Sequence, residues 1–301
     1  MKLLTTLLTL LLASAPLLAQ DSPCCQEKAA PAEAPAKSDC CAEGEQDAGD
    51  CSAAQKSALE ILGKIAEANA DRLYNIDYNM KMNMEQMGQP MAMDMKVKMN
   101  YGGAKLINMA IDMTIDMEMM PEPMNMQQTI IMDGTMLYMV MDNPMMGKQA
   151  MSVDLSNEDM VNQISGGMNM GIGGGVDPLA AAAAMCKVVN FNDVTETETT
   201  FVLKATPTKA FNEQMAATGV EIERVEMTIN KKTMFPASTI MWGAEGEEPI
   251  MKMTMGDPVF VKEHPEGLFV FTAPEGVTVQ DLGDMIQSQG GPPAGDEQLD
   301  F

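Results

Sequence analysis

The sequence predicts a mainly β, α+β protein: one large antiparallel sheet accompanied by a few helical pieces. Long runs alternate apolar and polar residues with period two, and glycine- or proline-containing turns separate them. No second core and no further apolar stretch of spanning length follows the first 19 residues. The chain has 35 Met against 8 Phe, 4 Tyr and 1 Trp, so methionine builds the apolar face.

The elements follow in order. Residues 1–19 read as a secretory signal: Lys2 supplies the charge, Leu3 to Leu12 the apolar run, and Ala13, Ser14, Ala15 and Ala19 the small residues before cleavage. This places the mature protein in the periplasm or outside the cell. Residues 20–52 are rich in Ala, Pro, Cys and acids, with no aliphatic residue larger than alanine between Gln20 and Asp50. Such a segment cannot offset its ordering entropy and reads as a disordered tether. At Ser52-Ala-Ala-Gln55 a capping box opens a helix whose apolar positions are Leu59, Leu62, Ile65 and Ala66, with Asn69 at the same spacing.

From Tyr74 the period becomes two. Tyr78, Met80, Met82 and Met84 alternate with polar residues, as do Met91, Met93, Met95, Val97 and Met99 after the Gly88-Gln-Pro90 turn. Beyond Gly102-Gly103 come Ile107, Met109, Ile111, Met113, Ile115 and Met117. Three long strands, each apolar on one face, make an antiparallel meander. Further strands are expected at 126–132, 135–141, 150–155, 187–194, 199–204, 221–230, 237–243, 250–256, 259–262 and 268–272, with a turn at Asp133-Gly134. Helical pieces are expected from Ser156, over Ala180–Ala184 and around Phe211–Ala217, and Gly166–Gly175 forms a loop. Residues 53–285 make one domain, and 286–301 a loose tail.

Chemistry-bearing residues are few. A net charge of −24 repels phosphate backbones and excludes nucleic acid as a partner. The methionines share one register with Val97, Ile111, Ile115, Tyr78 and Tyr101, which favours an apolar role as core and soft binding wall. The alternatives are thioether coordination of Cu(I), for which Met-x-Met puts two sulfurs on one strand face, and a purely structural or interaction module. Cys24, Cys25, Cys40, Cys41, Cys51 and Cys186 are disulfide candidates or labile thiols in an exported chain. Their spacing matches no zinc site, so no metal site and no cofactor is assigned. The single histidine, His264, reads as a surface residue in a turn, and Asp94, Asp112 and Asp116 fall in the wet register. No nucleophile elbow, zinc-protease motif or phosphate loop is present, and the chain reads as a non-enzyme.

The order of elements resembles the outer-membrane lipoprotein carrier (LolA-like) family. The resemblance rests on one opening helix, a long meander, the Ile130-Ile-Met-Asp133-Gly134-Thr-Met-Leu-Tyr138 hairpin, the Lys232-Thr-Met-Phe-Pro236 turn and the closing Phe269-Val-Phe271-Thr-Ala-Pro274-Glu-Gly276 segment. It covers roughly residues 53–285. It implies a curved antiparallel half-barrel covered by the N-terminal helix and short helical insertions, with a cavity for a lipid or a lipoprotein acyl chain and an envelope receptor protein as partner. The cavity would be lined by Tyr78, Met80, Met82 and Met84 of the first long strand, Met93, Met95, Val97 and Met99 of the second, and Met109, Ile111, Met113, Ile115 and Met117 of the third. Two departures are plain: aromatic residues are scarce, and neither Arg72 nor Arg224 matches the family's basic residue near the mouth.

Overall fold

A computed structural model describes residues 52–283, apart from 70, 87–88, 104, 118–119, 121, 157–187, 217–219 and 244–247. Helix α1 (Ala53–Asn69) leads into β1 (Leu73–Gln86), β2 (Gln89–Gly103), β3 (Leu106–Met117), β4 (Met124–Asp133), β5 (Met136–Asn143) and β6 (Gly147–Asp154). Then come β7 (Val189–Glu196), β8 (Thr200–Pro207), α2 (Lys209–Ala216), β9 (Ile222–Asn230), β10 (Phe235–Gly243) and β11 (Pro249–Met255). Two short strands close the order, β12 (Val259–Val261) and β13 (Val279–Asp281). The signal, the tether over 20–51 with its five cysteines, Cys186, the helical pieces after Ser156 and over 180–184, the Gly166–Gly175 loop and the tail lie outside the described residues.

All the described strands join one sheet in the order β13-β6-β5-β4-β3-β2-β1-β11-β10-β9-β8-β7, with β12 beside β1. The sheet is open and strongly curved, the expected half-barrel with its helix. Register shifts at Tyr101/Gly103, Phe191/Asp193, Pro236/Ser238, Met241/Trp242 and Trp242/Gly243 insert bulges that bend the strands. The meander from β1 to β6 follows the chain. The closure of β11 onto β1, Met80 opposite Met253 and Met82 opposite Met251, joins its two halves over long sequence distance.

Residues paired across strands share a face, so the register sorts the side chains. One face carries Tyr74, Ile76, Tyr78, Met80 and Met82 with their cross-strand partners, and it forms the core. The other carries Asn75, Asp77, Asn79 and Lys81, with exposed pairs such as Lys81–Asp94 at 3.5 Å. Helix α1 lies on the core face, nearest β7, and buries Ala58, Ile61, Leu62 and Ile65. Both its ends are tied down. The Ser52 hydroxyl accepts from the Gln55 amide at 3.0 Å, which is half of the expected capping box. The other half is not made, because the Gln55 side chain accepts from the Phe191 amide of β7 at 2.6 Å. At the far end buried Asn69 donates to the carbonyls of Ile65 (2.9 Å) and Met234 (2.7 Å), the latter a residue with φ of 51° in the turn before β10.

The strand expected over 268–272 is not there. Residues 266–269 form a turn and 270–274 are irregular. Instead the chain from β12 to β13 crosses the outer face as a strap. The Asn108 amide donates to the Leu268 carbonyl at 2.6 Å, and the Phe269 ring lies only 2.8 Å from where a Cβ on Gly102 would stand. Phe271 stacks on Tyr138 with ring centroids 4.1 Å apart. Ring contacts and bonds between side chains and single carbonyls hold this segment, which needs no ladder and explains why period-two apolarity here is not a strand. β13 then pairs in parallel with β6. His264 belongs to this strap: it is half-buried rather than on the surface, its Nε2 is 2.9 Å from the Tyr101 carbonyl, and its ring meets Phe269 edge-on.

Candidate functional site

The inner wall changes character along the strands. Its first rung carries Tyr74, Tyr101, Ile107, Met132, Leu137 and Val153, all buried. Tyr74 stacks on Tyr101 at 4.8 Å and meets Phe235 edge-on at 5.0 Å, so this end is closed by aromatic packing. The second rung holds Ile76, Met99 and Met109, and the third holds Tyr78, Val97 and Ile111, all likewise buried. The Tyr78 hydroxyl lies 3.8 Å from the Met109 sulfur, and burial pushes its phenol up, so it stays neutral.

Beyond Tyr78 the wall becomes almost entirely methionine. The fourth rung runs Met126, Met113, Met95, Met80 and Met253 across β4, β3, β2, β1 and β11. The fifth runs Met124, Ile115, Met93, Met82, Met251 and Met241, reaching β10. Met84, Met91 and Met117 follow in register. Met80, Met95 and Met253 are buried, as are Ile115 and Met91 farther along, while Met82, Met93, Met113, Met117, Met124, Met126, Met241 and Met251 are half-buried.

Every predicted cavity residue thus has a place. Tyr78, Met80, Met95, Val97, Met99, Met109, Ile111 and Ile115 are buried in the wall, and Met82, Met93, Met113 and Met117 are half-buried at its open end. Met84 holds its register position opposite Met91. Sequence reasoning missed Met241, Met251 and Met253, which join the wall only because β11 pairs with β1. The alternation of Met251, Met253 and Met255 was the available signal.

A surface concavity of about 620 Å³ lies at the opposite end, lined by Asp71, Arg72, Leu73, Phe260, Val261 and Lys262. Arg72 lies there over the Phe260 ring at 4.6 Å, whereas Arg224, over Trp242 at 4.2 Å, stands next to Met241 at the methionine end. This concavity is open and rimmed by charge, whereas an acyl chain requires a continuous apolar lining. The methionine end carries the longer unbroken run of apolar side chains.

No family model and no curated protein matches the chain. Among solved structures, LprF from Mycobacterium bovis aligns at 10% identity over 70% of this chain and 95% of its own, with a TM-score of 0.39. A DUF1329 family protein from Desulfovibrio piger aligns at 10% identity over 72% and 98%, with a TM-score of 0.31. A LolA superfamily protein from Nitrosomonas europaea aligns at 12% identity over 73% and 99%, with a TM-score of 0.28. Likenesses this remote carry no functional argument, and the reading of this chain rests on its own geometry. Among the described residues no helix is long and apolar enough to cross a membrane.

Proposed function

We propose that the protein is an exported, non-catalytic carrier that holds an acyl chain, of a lipid or of a lipoprotein, against the methionine end of its inner wall. One observation carries the reading: a continuous apolar face passes from packed aromatic residues to half-buried thioethers on the same strands. Half-buried apolar surface gains when a chain covers it, by about 0.8 kcal/mol per CH₂ removed from water. Unbranched methionines re-pack around chains of different shape, and that tolerance suits cargo with variable acyl composition. The strand acids support a passive role, since Asp112 and Asp116 are exposed on the outer face. Release follows when a partner in the envelope binds the form in which the wall is uncovered.

The test is direct. The full chain, purified from its own host, should carry lipid detectable by native mass spectrometry and extraction, and after delipidation it should bind a fluorescent fatty-acid probe. Placing charge on the wall with Met82→Glu and Met93→Glu should weaken probe binding at least tenfold, while a charge on the outer face, Thr114→Glu, should not. A chain that brings no lipid and ignores the probe is not a carrier.

A further inference from the structure

We propose that the same end of the sheet contains a thioether site for a soft monovalent cation, Cu(I), centred on Met93, Met82 and Met251 with Met241 beside them. Apolarity alone does not account for what stands there. In the first three rungs of β1–β4, twelve inner-face positions include only Met99, Met109 and Met132, the rest being Tyr, Ile, Val and Gln128. In the next two rungs of the same strands, eight positions are all methionine except Ile115. Both regions serve one wall, and isoleucine or valine would give the second the same hydrophobicity. The residue type that changes is the one bearing sulfur.

The register supplies a ligand set. Met93, Met82, Met251 and Met241 are directly paired on the consecutive strands β2, β1, β11 and β10. Paired residues on adjacent strands hold their Cβ atoms about 5 Å apart. On the inner side of a curved sheet the side-chain tips lie closer together than the backbones do. The three rotatable bonds of methionine then let three sulfurs converge on one ion. All four side chains are half-buried, so an ion can reach them, and the next rung behind the first three is the buried trio Met95, Met80 and Met253. Neutral thioethers select soft Cu(I) and offer little to Zn(II), Mg(II) or Ca(II). Among the described residues no group of three or more His, Cys, Asp or Glu side chains is placed to hold a harder ion. The net charge of −24 draws a cation toward a site whose own ligands are neutral.

The experiment uses the full chain with all six cysteines changed to serine, so that methionine is the sole sulfur donor. Under anaerobic conditions with reductant, this protein should withdraw Cu(I) from a chromophoric bicinchoninate complex, and Zn(II) should not compete. The triple variant Met82→Leu, Met93→Leu and Met251→Leu conserves volume and should keep its unfolding midpoint close to that of the parent. It should bind Cu(I) at least a hundredfold more weakly. X-ray absorption of the loaded parent should show a shell of sulfur neighbours. The proposal is overturned if the parent leaves bicinchoninate untouched, if the leucine variant binds as tightly as the parent, or if nitrogen and oxygen dominate the copper shell.

Discussion

The two ends of the inner wall are made by the same strands and differ in almost every physical respect. At one end Tyr74, Tyr101 and Phe235 interlock within 5.0 Å, and Asn69 ties α1 to the turn beneath them. At the other, Met82, Met93, Met251 and Met241 lie side by side, half-buried. Rings have few rotamers and fix one packing, whereas methionine has many and fixes none. The protein gives rigidity to one end and adaptability to the other, and an antiparallel strand allows this because each rung is an independent choice of side chain.

This contrast is exposed to measurement. Phe235→Ala should cost about 3–5 kcal/mol in guanidinium unfolding, because the cavity forms among rings that cannot relax. Met93→Ala, half-exposed among flexible neighbours, should cost about 1 kcal/mol in the same assay. Equal losses would remove the distinction between the ends. Asn69→Ala leaves the Met234 carbonyl without its donor and should cost about 2 kcal/mol, less than a full buried network because the Asn69 Oδ1 has no partner of its own. Gln55→Ala acts on the edge of the sheet and should cost about 1 kcal/mol, with hydrogen-exchange protection lost at the Phe191 amide in particular.

The smallest effect concerns acid. Partial burial raises the Asp133 carboxyl, but bonds from the Met136 and Thr135 amides and the Thr135 hydroxyl outweigh it and hold it below the usual carboxylate range. A carboxyl lowered on folding stabilises the native state above its unfolded pKa, and that contribution is lost as pH falls through the folded value. Acid below about pH 4 should therefore weaken the β4–β5 turn, at the aromatic end. Asp133→Asn keeps an acceptor and should flatten this part of the stability curve. An unchanged slope would show that the turn carries no linkage.

Much of this architecture was legible in the chain itself. Alternation marked β1 to β3 and their inward face, strands were expected close to where β4 to β6 run, Asp133-Gly134 marked its turn, and Ser52 marked the start of α1. What stayed hidden depended on distance in sequence. Nothing near Met251 or Met253 tells that β11 lies beside β1, so the part of the methionine wall made by Met241, Met251 and Met253 was invisible. Gln55 matches a local capping pattern, yet its side chain serves β7. The segment around Phe269 and Phe271 has the period of a strand, but its rings are claimed by Gly102, His264 and Tyr138 on the outer face. Local periodicity reports which side chains are apolar, and tertiary contacts decide whether a ladder forms.

The bond between Gln55 and Phe191 has one more consequence. An unclosed sheet leaves bare backbone along its margins, and such a margin is a template on which further copies can add strand by strand into fibrils. Among the described strands β7 is the last on its side, and the side-chain oxygen of Gln55 in the opening helix already accepts from the Phe191 N–H. A sheet with half-buried thioethers on its inner wall thus keeps at least this part of its margin from recruiting its own kind.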